Sequence, residues 1–69
     1  MSFNKRIITK ESLQQTFNSY GLIGVERLFQ ADAVVLSGDH IELLNEIHES
    51  LIHLDLEKTQ KLITKIILL

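Results

Sequence analysis

Asp39–Leu69, DHIELLNEIHESLIHLDLEKTQKLITKIILL, is the stretch on which the reading of this chain turns. At about 100° per residue, Leu43, Leu44, Ile47, Leu51 and Leu54 fall on one side of a helix, and Ile41 and Ile52 widen that arc to nearly half the circumference. Glu42, Glu46, Glu49 and His53 line the opposite side. Asp39 with Glu42 three residues on has capping-box spacing, and Gly38 before it suits the end of a preceding helix. Asp55 reads as the N-cap of a further helix with Leu56, Leu62, Ile63, Ile66 and Ile67 on its apolar face and Lys58, Lys61 and Lys65 on its back. A single helix bent through Leu54 and Leu56 is the alternative. Residues Ile66 to Leu69 are apolar all round, which one neighbouring helix cannot cover, so a partner chain or an enclosing bundle is implied.

Upstream, Ser2 to Ile8 holds Phe3, Ile7 and Ile8 among polar residues with no helical period and reads as an extended arm whose isoleucines dock. Thr9 is the expected N-cap of a helix from Lys10 to Tyr20, with Glu11 in the first turn where a carboxylate favours the helix dipole. Leu13, Phe17 and Tyr20 form its narrow apolar stripe, and Gly21 suits the left-handed stop. A second helical pattern covers about Leu22 to Leu36, with Val25, Leu28, Phe29, Val35 and Leu36 on one face. Asp32 projects into that arc. Either the helix breaks there with Asp32 as a cap, or the acid is buried and hydrogen-bonded, or it is a contact residue at an interface. The run AVVL, 33–36, also fits a short strand, but no partner strand is evident.

The totals bound the function. A chain of 69 residues without cysteine forms one domain, 1–69 with 1–8 as its arm, and has neither disulfides nor a thiolate zinc site to staple it. The missing cysteines fit a reducing, cytoplasmic setting. Hydrophobic residues make up 45% of the chain, more than one small core easily hides, which points to a homodimer. Met1 to Lys10 lacks the apolar core of a secretory leader, and no apolar run approaches the roughly 18 residues of a membrane span, so no membrane association is expected. The fold expected is all-α, a small three- to four-helix bundle completed by homodimerisation. Its seam would draw on Leu51, Leu62, Ile63, Ile66, Ile67 and Leu69, and Ile66→Asp or Ile67→Asp would then dissociate it.

Chemistry-bearing motifs are sparse. His48 and His53 are five apart and diverge by about 140° on a helix, whereas a zinc-protease helix needs two histidines at i and i+4. No nucleophile, paired acid or glycine-rich cradle accompanies Asp32, so neither an enzyme nor a cofactor is expected. Glu42, Glu46, Glu49 and His53 against Lys58, Lys61 and Lys65 form opposed stripes that read as solvated faces, or as surfaces steering a protein partner or a second copy. His53 among carboxylates also fits a pH sensor. Net charge is −2, and Lys5, Arg6 and Lys10 are a thin footprint for nucleic acid, as are Arg27 and Gln30 as readers on a recognition helix. DNA binding, or DNA mimicry, ranks behind protein binding.

The segment VVLSGDHIELLNEIHESLIHLD, Val34 to Asp55, resembles the small bacterial biofilm and two-component connector proteins of the AriR/YmgB type. The likeness lies in a Ser-Gly turn, an Ile/Leu-rich helix ending in a Leu-acid pair, here Leu54-Asp55, and a short final helix. It covers about a third of the chain, with acids here where that family has lysine after the turn. The resemblance implies a small helical homodimer acting as a regulatory binding partner, and carries over no functional residue.

Overall fold

The computed structural model describes residues 5–69. The chain is mixed α/β: strand β1 (Lys5–Ile8), helix α1 (Lys10–Leu28), strand β2 (Ala33–Leu36), helix α2 (Ile41–Ile52) and helix α3 (Leu56–Ile67). The all-α bundle expected above is therefore overturned. β1 and β2 pair in parallel with Lys5 opposite Ala33 and Ile8 opposite Leu36. The partner that AVVL lacked is thus the end of the predicted arm, brought alongside by the α1 crossover that a parallel pair requires. Ser37 N–H extends the ladder to the Ile8 carbonyl at 2.9 Å. The rest of the arm, including Phe3, lies outside the described residues.

Successive strand residues face opposite ways, and the pairing uses this. Ile8 and Leu36 turn toward the helices, where Ile8 is fully buried, while Ile7 faces outward and is 60% exposed. Only one of the two isoleucines docks. Arg6 donates from Nη1 to the carbonyls of Arg27 and Leu28 at 2.9 and 3.1 Å. A guanidinium there gives the Leu28 carbonyl a donor and adds one to the Arg27 carbonyl, which already accepts from Gln30 N–H, at a helix end whose dipole favours a cation. Lys10 Nζ likewise donates to the Leu69 carbonyl at 3.0 Å. Two of the three N-terminal cations proposed for nucleic acid are thus engaged with backbone.

Thr9 caps α1 as expected. Its hydroxyl accepts from Ser12 N–H at 3.1 Å, and Ser12 Oγ accepts from Thr9 N–H at 2.9 Å, a reciprocal box. Gly21 does leave helical geometry (φ 71°, ψ −156°), but the chain resumes helix at once, so α1 is a kinked helix reaching Leu28. The second helical pattern, expected to run to Leu36, ends there because Ala33–Leu36 is taken up by the sheet. Asp32 consequently sits in the exposed link between α1 and β2, neither buried nor capping a helix. Gly38 (φ 95°) turns the chain out of β2 instead of ending a helix. α2 then starts one residue later than expected, with His40 at the N-cap and no side-chain cap bond from Asp39.

The core joins Ile8, Leu13, Val25, Phe29, Leu44, Ile47, Ile63 and Ile66. α3 packs against both α1 and α2, so Ile63 and Ile66 point into this chain's own interior. Among the core contacts between α2 and α3 sits one polar pair, Ser50 and Thr59, whose hydroxyls are 2.6 Å apart. Ser50 Oγ also lies 2.8 Å from the Ile47 carbonyl, and Thr59 Oγ1 2.8 Å from that of Asp55. Each hydroxyl has one proton, so one donates to its neighbour and the neighbour to its own helix. Both oxygens are satisfied, which is what burial demands.

Candidate docking site at the α2–α3 turn

The turn between α2 and α3 is a Schellman stop. Asp55 N–H donates to the Ser50 carbonyl at 2.9 Å and Leu54 N–H to the Leu51 carbonyl at 3.1 Å. The C′ position of such a stop is left-handed and usually glycine. Here it is Leu54, at φ 56°, with its side chain 81% exposed. Asp55 then starts α3, its Oδ1 accepting from Lys58 N–H at 3.2 Å, which confirms the expected cap and rules out one bent helix.

Leu54 holds this strained conformation without recovering the cost by burial, since its side chain stands in solvent. The penalty for an L-residue there is about 1–2 kcal/mol. Glycine would remove it at a cost of about 0.5–1 kcal/mol in chain entropy. Leu54→Gly is therefore expected to stabilise the fold by roughly 0.5–1 kcal/mol, read as a higher midpoint in urea.

Beside Leu54 lies a groove of about 390 Å³ between the end of α1 and the α2–α3 turn. Phe29 and His48 form one wall, their rings stacked with centroids 5.1 Å apart and planes 26° from parallel. Leu51, Ile52, Leu54 and Leu56 supply the apolar remainder, and Glu26 and Gln30 complete the lining. Glu26 is the one carboxylate among these residues. Ile52 and Leu56 are exposed as well, so three large aliphatic side chains stand in solvent around one turn.

The residues expected to form a seam are divided. Ile63 and Ile66 are fully buried within the chain, Leu51, Leu62 and Ile67 are half-buried, and Leu69 is 58% exposed. The two fully buried members serve the fold, and only the others reach the surface. Glu42, Glu46, Glu49 and His53 are exposed along α2, and Lys58, Lys61 and Lys65 along α3. Lys61 Nζ lies 3.5 Å from Glu57 Oε1 one turn away, and His53 Nδ1 lies 2.9 Å from the Glu49 carbonyl.

Sequence reasoning placed Leu54 on the apolar face by extending the helical wheel past Ile52, where the helix stops. Ser50 is a further residue that the charge and apolar stripes do not single out, although a serine beside an apolar arc is itself a signal of a buried partner. Among the described residues no group of three or more His, Cys, Asp or Glu is placed to hold a metal, and no helix is long and apolar enough to cross a membrane. No family model, curated protein or solved structure matches the chain.

Proposed function

We propose that this chain is a small non-enzymatic regulatory protein that acts by binding another protein, and that it works as a homodimer. The observation that carries the binding reading is Leu54, an exposed leucine held in a left-handed conformation at the mouth of an apolar groove. Strain of this kind persists where surrounding structure imposes it and often marks a binding element.

The occupant proposed for the groove is an amphipathic helical segment of the partner protein, with apolar residues at i, i+3 or i+4 and i+7 and a lysine or arginine at its flank. The apolar walls suit the first feature and Glu26 the second. At about 390 Å³ the groove falls at the lower end of the roughly 300–1,000 Å³ typical of ligand pockets, enough for a few anchoring side chains. Its polar lining is one carboxylate, one amide and one imidazole, a set suited to orienting a docked segment.

Selection of random peptides about four helical turns long on the immobilised chain tests this. The expected winners share the helical apolar spacing with a basic flank, and lose affinity on Ile52→Asp and on Leu54→Asp. Winners lacking that pattern, or indifferent to both substitutions, would overturn the groove reading.

A further inference from the structure

We infer that two copies of this chain pair through the outer face of the α2–α3 hairpin, the acidic ridge of one copy lying over the basic ridge of the other. This rests on the homodimer reading above and supplies its surface.

Glu42, Glu46, Glu49 and His53 follow at i, i+4, i+7 and i+11 and form one line along α2. On α3, Lys58 and Lys65 share a line with Leu62, all within about 60° by the 100° helical step. The ends of the two lines next to the turn flank one cleft. Glu49 and His53 stand on one side and Lys58 on the other of a depression of about 350 Å³, which Ser50 and Asp55 also line. The hairpin therefore carries a negative edge and a positive edge, with half-buried Leu62 on the positive side. Lys61, held near Glu57, is left out of the pairing.

Such a face is complementary to itself under one symmetry only. A two-fold axis running along the hairpin places each α2 over the other copy's α3, so glutamates meet lysines twice. An axis running across the hairpin places α2 over α2 and sets like charges against each other, which is disfavoured. The charge pattern thus selects an isologous dimer with a defined axis. Each helix of twelve residues is about 18 Å long, so the face is smaller than the roughly 800 Å² per partner of a standard interface. A weak, reversible dimer that salt loosens is the form expected.

Charge reversal decides the matter. The doubly substituted chains Glu42→Lys/Glu46→Lys and Lys58→Glu/Lys65→Glu alter only exposed positions, and circular dichroism verifies their folding. By sedimentation at low salt, each alone should self-associate at least roughly tenfold more weakly than the parent chain, and their equimolar mixture should recover a dimer of mixed composition. A parent dimer that neither pair of substitutions weakens would overturn the face while leaving the homodimer standing. Variants that weaken the dimer but fail to recover it on mixing would overturn the ridge-on-ridge pairing. A parent chain that stays monomeric up to millimolar concentration would overturn face and homodimer together, and the peptide selection would still test the groove separately.

Discussion

Ile66→Asp is expected to unfold the chain, not to separate two folded copies. Ile66 is fully buried in the cluster that joins α1, α2, α3 and the sheet. An aspartate there loses the packing of a large aliphatic side chain and buries a carboxylate in a cluster whose described members are all apolar. Removing a buried Ile alone costs about 2–5 kcal/mol, and an uncompensated buried charge adds to that. At roughly 0.05–0.15 kcal/mol per residue, a chain of 69 residues has only about 3–10 kcal/mol to lose, which the two losses together consume. Leu69→Asp, at an exposed position three residues on, should change stability by less than about 0.5 kcal/mol. Thermal melts followed by circular dichroism separate the two. A cooperative melt for Ile66→Asp near that of the parent chain would contradict the packing of α3.

Gly24→Ala is expected to destabilise the fold, against the ordinary rule for helices. In a regular exposed helix that change gains about 1 kcal/mol. Gly24 is buried, and the kink at Gly21 brings the preceding turn close. A Cβ built on Gly24 lies 2.5 Å from Tyr20 Cβ and 3.1 Å from Thr16 Cγ2. Tyr20 Cβ is fixed to the backbone, so relief requires α1 to move at its kink. Forced overpacking typically costs about 1–3 kcal/mol, enough to reverse the helical gain. Urea unfolding of the alanine variant should show a lower midpoint with an unchanged slope, and a raised midpoint would show that the kink relaxes freely.

The features legible in the sequence were the local ones. Thr9 and Asp55 as caps, the break at Gly21 and the inward face of α3 each follow from residues within a turn or two of one another. The sheet was not legible, because its two strands are four residues each and stand on either side of the whole of α1. Four residues are too few for a period-2 pattern to compete with a helical one, and nothing adjacent to AVVL in sequence marks β1 as its partner. The same pairing explains why the second helical pattern stopped short and why Asp32 left the apolar arc. Gly38 is legible as punctuation, but the element it ends is a strand and not a helix.

For the candidate site, exposure was legible and geometry was not. The charged stripes of α2 and α3 are exposed as their periodicity required. The groove depends on Phe29 and His48, which meet across 19 residues of sequence and share no local pattern. Leu54 was the further difficulty. Its side chain reads as core by composition and as surface only once the helix is known to end before it.

The measurement that bears most directly on the account compares stability and binding for one substitution, Leu54→Gly. If Leu54 is kept for binding at the expense of the fold, glycine should raise the melting temperature by about 2–8 °C. The peptides selected on the parent chain should at the same time bind at least roughly tenfold more weakly, as befits the loss of one buried leucine. A lower melting temperature, or peptide affinity left unchanged, would contradict the claim that this strained leucine is the chain's docking element.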